Sequence, residues 1–345
     1  MDPGYLQLDY VSAQELGLRP APWWRTVLGV VGFETAPHID PAQVPVTASR
    51  TPSLGGADNL CEVWRVAGGR DLELSAGSLR QGRVEYRYCH EFLFGSITLG
   101  EGEFDEAGSA ALLRATSTAY REIFEVLEQE HHRHLIRVWN YLPDINREAD
   151  GDERYRHFNS ARQTAFRSSG RSMVGSVPAA SALGSPAGSP ISIYFLASRQ
   201  PPTMIENPRQ TSAYFYPPKF GAHSPIFSRA CVLSESAGIN LFVSGTASIV
   251  GHETIHPGDV IAQTREALAN ISALLDEVNR VVGSRYLMGG LKFKVYVRRP
   301  CDLAAIACAL QAALPAATSI VYLKADVCRE DLLVEIEATG ESRRN

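Results

Sequence analysis

The chain has 345 residues, 45% of them hydrophobic and 21% charged, which suits buried cores and excludes a disordered or collagen-like polymer. Lys plus Arg total 33 against 38 for Asp plus Glu, and a net charge of -5 lacks the basic footprint of a general nucleic-acid binder. No apolar run approaches the roughly 20 residues that span a bilayer, and MDPGYLQLDY carries no basic stretch followed by an apolar one, so the chain reads as cytoplasmic, without signal peptide or membrane partner.

Residues 1–60 are rich in Pro, Gly and Ala and read as an irregular lead-in with one or two strands. A strand-like run follows over Tyr86 to Thr98. From Asp105 to Glu130, Leu112, Ala115, Ala119, Ile123, Val126 and Leu127 recur with helical period. Leu135 to Leu142 (LIRVWNYL) reads as a strand, and Asp152 as the cap of a helix through Phe166. The Ser-, Gly-, Ala- and Pro-rich stretch Ser168 to Pro190 reads as a linker or as a loop covering a site. Ile191 to Ala197 is a buried strand, and Cys231 to Val250 a hairpin. Asp259 caps a helix whose stripe is Val260, Leu268, Ile271, Leu274, Leu275 and Val278. Then come a strand over Lys292 to Arg298, an Ala-rich helix over Asp302 to Leu314, and strands over Ile320 to Ala325 and Leu332 to Ala338.

The halves look alike. Phe94 and Phe242 share their spacing with Ile123 and Ile271, and Tyr194 and Tyr322 share theirs with Ala197 and Ala325. Each of the last-named strands leads toward a carboxylate, Glu206 or Glu335. The expectation is an α+β fold of two degenerate tandem units, 1–200 and 201–345, β-sheets with helices packed on one face.

Cys61, Cys89, Cys231, Cys301, Cys308 and Cys328 form no C-x-x-C and no zinc spacing with His, so they read as reduced thiols, mostly core filler. His131, His132 and His134 fall at the end of a predicted helix, where positive charge suits the macrodipole. No phosphate-loop or dinucleotide fingerprint appears, and no cofactor or metal is expected.

Residues 227–339 resemble the RidA (YjgF) family through LFVSG (241–245), GDVIAQTREALANISALL (258–275) and VEIEA (334–338). That resemblance implies three units around an axis, here pseudo-trimeric within one chain, and a small-molecule site lined by Ser244, Gly245 and Glu335. Ala317-Thr318-Ser319 stands where imine-hydrolysing members carry an Arg, which argues against imine hydrolysis. Across both halves, WNYLPDIN (139–146), ERYRHFNSARQTAF (153–166), PAASALG (178–184), IENP (205–208), FSRA (227–230), KVYVRR (294–299) and DLLVEIEAT (331–339) together resemble the chorismatase family. The resemblance implies cleavage of chorismate with release of pyruvate. Gly245 and Cys328 stand where the hydrolytic subtype has Ala, which implies the branch that forms 3-hydroxybenzoate through an epoxide-type intermediate.

Chorismate is a dianion with an acid-labile enol ether. Its carboxylates call for guanidinium forks. Tyr155 and Arg162 lie two turns apart on one helix face, a shared grip or a surface Arg stacked on a Tyr. Arg229 is a second clamp or a surface Arg, and Tyr216 in YFYPPK closes over the ring or packs its loop. Enol-ether cleavage needs a proton donor with a raised pKa. On the strand LLVEIEA, Leu332, Val334 and Ile336 face the helices, so Glu335 and Glu337 face away, Glu335 into a cleft and Glu337 into solvent. Cys328 orients the intermediate or excludes water, or is a structural thiol. The expected partner is chorismate alone, with no nucleic acid, and a monomer is favoured. The alternatives are hydrolytic cleavage to a dihydroxycyclohexadiene carboxylate, and a non-catalytic carboxylate binder, which has no need of an acid at Glu335.

Overall fold

A computed structural model describes residues 4–39, 44–56, 59–68, 74–75, 79–235, 237–283 and 285–343. The lead-in is not irregular. Strands β1 (Tyr5–Ser12), β2 (Val27–Gly32), β3 (Val46–Ala48) and β5 (Leu60–Ala67) form a four-stranded sheet in the order β1-β5-β2-β3, while β4 (Ser53–Leu54) joins another sheet. Every residue of β2 is buried, so it shows no apolar–polar alternation to betray a strand.

The first unit runs β6 (Leu79–Gln81), β7 (Val84–Tyr88), β8 (Phe92–Leu99), α1 (Ser109–Gln129), β9 (His134–Pro143), α2 (Arg154–Ser168), β10 (Ala179–Ser185) and β11 (Ile191–Ser198). The second runs β12 (Thr203–Ile205), β13 (Ala230–Ser234), β14 (Gly238–Thr246), α3 (Val260–Val282), β15 (Leu291–Val297), α4 (Leu303–Ala313), β16 (Ser319–Lys324), β17 (Asp326–Val327) and β18 (Val334–Arg343). Asp259 accepts the backbone N–H of Ala262 at the start of α3, as expected of a cap. Asp152 does not cap α2; its N-cap is Glu153, without a side-chain bond.

The two seven-stranded sheets have one topology. Their orders are β17-β10-β9-β11-β8-β7-β6 and β4-β16-β15-β18-β14-β13-β12. In each, one parallel pair (β9–β10, β15–β16) sits among antiparallel neighbours. The tandem α+β units are therefore present, and each borrows an edge strand from outside its own stretch of chain. We propose residue 200 as the boundary between units, because the chain leaves one sheet at Ser198 and enters the other at Thr203; the 5–67 sheet lies outside both repeats.

Part of the expected internal alignment shifts. Phe94 and Phe242 fall on the equivalent strands β8 and β14, but Tyr194 lies on β11 and Tyr322 on β16, which are not equivalent. The equivalent of β11 is β18, so Glu206, just past edge strand β12, is no counterpart of Glu335. The cause is β10, hidden inside the Ser/Gly/Ala/Pro stretch read as a linker or loop. Its residues are small because neighbours crowd them: a Cβ on Gly184 would come within 2.7 Å of Asp326 Cβ and of Ile145.

Helices α1 and α2 cover the outer face of the first sheet, burying Leu112, Ile123 and Leu127 against Val138 and Ile193. Helices α3 and α4 do the same for the second, with Ile271 and Leu274 against Val295 and Ile336. The inner faces meet the N-terminal sheet in a shared core of Trp64, Phe94, Trp139, Tyr194, Phe242 and Tyr296. Three sheets thus surround one centre, the pseudo-trimeric arrangement within a single chain. At that centre Lys294 pairs with Glu62 and, at 2.9 Å, with Glu337, while Arg137 reaches Glu337 at 2.6 Å. Glu337 was expected in solvent; it is 5% exposed. Strand alternation gives the face, but the other two sheets cover that face.

Candidate active site

A cavity of about 640 Å³ opens beside β18, and Tyr155, Arg162, Tyr216, Arg229, Gly245, Cys328 and Glu335 all line it. Helix α2 supplies Tyr155 and Arg162, the loop after β12 supplies Tyr216, and Arg229 immediately precedes β13. Cys328 follows β17, which pairs with β10 and so carries the second unit's chain across to the first sheet. Among the described residues, no group of three or more His, Cys, Asp or Glu is arranged to hold a metal ion.

Gly245 sits at a β-bulge. The β14–β18 register slips between Val243 and Thr246, which turns Ser244 and Gly245 out of the regular ladder. Ser244, implied to line the site, is instead committed between sheets: its hydroxyl donates to Ser228 O at 2.6 Å and accepts from Ala180 N at 2.9 Å. Gly245 N–H donates to Ser181 Oγ at 3.1 Å. A Cβ at residue 245 would lie 1.9 Å from Glu335 Oε1 and 3.0 Å from Ser181 Oγ. The missing side chain thus makes room for the acid's carboxyl group.

Glu335 is 4% exposed. Burial, and then the Glu337 charge, push its pKa up to about 8, while Arg137, Arg229 and Arg298 pull it back. The group is a neutral acid at pH 7. Glu337 behaves oppositely although burial also opposes its charge: Lys294 and then Arg137 outweigh that cost and hold it below the usual carboxylate range. Two carboxyls on one strand face therefore divide into a proton donor and a fixed anion. Cys328 is a poor thiolate, its pKa pushed up to about 12 by burial and by Glu335. As a neutral thiol it is a weak nucleophile.

Arg162 and Arg229 are both buried, each 3% exposed. Arg162 Nη1 donates to Ile226 O at 2.6 Å and its guanidinium lies 5.2 Å from the Tyr120 ring, while Nε and Nη2 have no partner among the described residues. Arg229 Nη2 donates to Thr211 O at 2.7 Å and to Tyr216 Oη at 2.8 Å, leaving Nε without a partner. Neither is a surface arginine, and Tyr216 is tied to Arg229. Burial raises the Tyr155 phenol well above its usual pKa, so it is a neutral hydroxyl.

Several lining or supporting groups were not foreseen. Ser181 on β10 accepts from Arg137 Nη2 at 2.6 Å and donates to Glu337 at 2.7 Å. Arg329 lines the cavity with its guanidinium 4.0 Å from the Phe220 ring, and its Nη2 has no partner among the described residues. The one signal for Ser181 is PAASALG; the one for Arg137 is a lone cation inside the apolar run LIRVWNYL. Of the three clustered histidines, His132 is buried at the end of α1 with its ring nitrogens 2.7 Å from Glu130 O and 2.9 Å from Cys89 O; burial lowers its pKa, and a neutral ring donates to one of these two carbonyls at a time.

The model of the family described as "Chorismatase FkbO/Hyg5-like, N-terminal" matches residues 62–197. Over 329 residues, covering 92% of each chain, the sequence is 37% identical to the 3-hydroxybenzoate synthase of Streptomyces hygroscopicus. It is 33% identical over 341 residues to a chorismatase of Streptomyces rapamycinicus, covering 95% of this chain and 96% of that one. A chorismatase crystal structure superposes with a TM-score of 0.84 at 29% identity, covering 99% of both chains. With this identity sustained along nearly the whole chain, the protein belongs to the chorismatase family.

Proposed function

We infer that the protein cleaves chorismate, and that pyruvate leaves with the ring released as 3-hydroxybenzoate. The observation that supports this best is Glu335, a buried acid that still holds its proton at neutral pH, in a cavity walled by Arg162 and Arg229. A carboxylate binder gains from the arginines; it has no use for a neutral acid beside them.

The arginines hold the two carboxylates of the substrate, and Tyr155 and Tyr216 flank the ring. Glu335 gives its proton to the methylene carbon of the enolpyruvyl ether, which weakens the bond from ether oxygen to ring carbon. The neighbouring ring hydroxyl attacks that carbon, the ether bond breaks, and pyruvate departs with the ether oxygen. The hydroxyl proton returns to Glu335, now a carboxylate. The remaining epoxide is an isomer of 3-hydroxybenzoate. Opening it needs only loss of the ring-carbon proton and protonation of oxygen, so no water is consumed or released overall. One residue serves as acid and then as base.

The product is chosen by competition between ring hydroxyl and water. Gly245 acts on it through Glu335: a methyl at residue 245 would occupy the place of Oε1, so the carboxyl must swing to a new rotamer. Cys328 acts by filling the wall beside the acid. Because about 1.4 kcal/mol of differential barrier changes a product ratio tenfold, the double variant Gly245→Ala, Cys328→Ala should keep releasing pyruvate yet divert product toward the non-aromatic diene diol. Chromatography of the products of wild type and variant from one chorismate pool, counted against pyruvate, is the test. A wild type that releases no pyruvate sinks the reading. A double variant that makes only 3-hydroxybenzoate places the product choice outside these two residues.

A further inference from the structure

In the KVYVRR stretch, Arg298 immediately follows β15 and does not line the cavity. A guanidinium carries five N–H donors in a rigid plane, and Arg298 uses all five. Nε donates to Leu332 O at 2.8 Å. Nη1 donates to Asn146 Oδ1 and to Asp326 Oδ1, both at 3.0 Å. Nη2 donates to Val327 O at 2.8 Å and to Arg329 O at 2.9 Å. Three of the five acceptors are main-chain carbonyls of the segment that carries Cys328, and Val327 and Arg329 flank that residue on either side. Asn146 belongs to the first unit and donates to Glu153 at 2.8 Å, one residue before α2 and its Tyr155 and Arg162.

The segment's other ties lie away from Cys328: Val327 pairs with Leu183 on β10, Gln263 Nε2 donates to Asp331 O at 2.8 Å, and Arg329 Nη1 donates to His252 O at 2.9 Å. Val327 and Leu332 are buried with Ala247 and Ile249 in a small satellite cluster, against which Cys328 packs. Between β17 and β18 the chain has no regular ladder, and the carbonyls of Val327, Arg329 and Leu332 take their side-chain donor from Arg298. Only a planar fork satisfies carbonyls on both sides of one residue at once; an ammonium offers three donors from a single point.

We propose that Arg298 is a positioning residue for product choice: by gathering the 326–332 segment around its guanidinium it fixes the Cys328 side chain against the cavity and keeps water off the reacting carbon. This rests on the chorismate-cleaving reading above. Arg298→Lys keeps the cation and loses the fork. Two readouts decide the matter. The first is alkylation of Cys328 by iodoacetamide, followed peptide by peptide with mass spectrometry, buried Cys231 serving as the internal reference for global opening. The second is the ratio of diene diol to 3-hydroxybenzoate.

Local release should speed Cys328 alkylation at least about tenfold with Cys231 unchanged, and should raise the diene diol share at least about tenfold while pyruvate is still released. Acceleration of Cys328 and Cys231 together would show a general stabilising role and overturn the proposal. So would wild-type alkylation and a wild-type product ratio. Should Arg298→Lys not fold, Asp326→Ala removes one of the five acceptors at a half-exposed position and is read the same way, with a smaller effect in the same direction. A wild type inert toward chorismate would refute the activity, and the alkylation arm would still decide whether Arg298 holds Cys328.

Discussion

Glu335→Gln should fold normally and release pyruvate at least about a hundredfold more slowly than wild type, the usual worth of a positioned acid–base group. The amide keeps the shape of the carboxyl and its place over Gly245, but has no proton to give. The wild type should also slow as pH rises through about 8, where Glu335 loses its proton, and the variant's residual rate should lack that limb. Stability moves the other way, and the sign follows from linkage. Glu335 titrates near 8 in the folded chain against an ordinary 4.5, so between those values the native state holds a proton that the unfolded chain releases. Native stability therefore falls as pH climbs through that window. The Gln variant escapes this cost: at about pH 9 it should be the more stable protein by up to a few kcal/mol, and near pH 4 the two should coincide. Thermal unfolding at the two pH values checks this. Near-native pyruvate release in Glu335→Gln would remove the acid from the mechanism. A variant that is both slow and destabilised at high pH would mean that the carboxyl is structural.

The legible parts of this fold are those where apolar period and burial coincide. The stripes of α1 and α3 stand out because each helix has one face on a core and a length that fixes its type, while the run Leu135 to Leu142, buried on both faces, stands out as a continuous apolar and aromatic stretch of strand length. The N-terminal sheet and β10 do not. Strand β2 is buried throughout, and β10 is built of Ala, Ser, Leu and Gly, residues whose only cue is close approach to a neighbour not yet known. Strand β10 carries Ser181 and offsets the two units' strand order by one relative to the Tyr194–Tyr322 spacing. Glu335 was legible because alternation along LLVEIEA set it opposite the helix-packed trio. The same rule misplaces Glu337, since alternation names a face and says nothing about the other two sheets that close over it. Arg298 and Arg329 carry no local pattern at all. Their meaning arises from the return of the chain after β16 to the edge of the first sheet, a tertiary event.

Arg162→Ala and Arg229→Ala should each cost roughly 2–5 kcal/mol in kcat/KM, the range found when one partner of a desolvated ion pair is removed. Both guanidiniums are buried and both keep N–H groups without partners among the described residues, which is costly in a folded protein unless an acceptor arrives. A dianionic substrate brings such acceptors. Arg162 has one carbonyl bond and aromatic faces to lose, and Arg229 has Thr211 O and Tyr216 Oη; against those losses, each truncation also removes a buried charge, which at residue 229 lies in the field of Glu206. Unfolding of the substrate-free variants should therefore change little relative to the kinetic loss. The clear signature is the ligand: chorismate should raise the Tm of wild type, and that rise should vanish in either variant. Arg229→Ala should further loosen Tyr216, so its kinetic loss should overlap with that of Tyr216→Phe, and the double variant should fall short of additivity. Lys at either position should recover only part of the loss, because a point charge does not reproduce a planar fork. An Arg162→Ala enzyme with unchanged kcat/KM and an intact Tm response would leave that guanidinium as a helix-packing group and place the carboxylate site elsewhere in the cavity, with Arg329 the next cation on its wall.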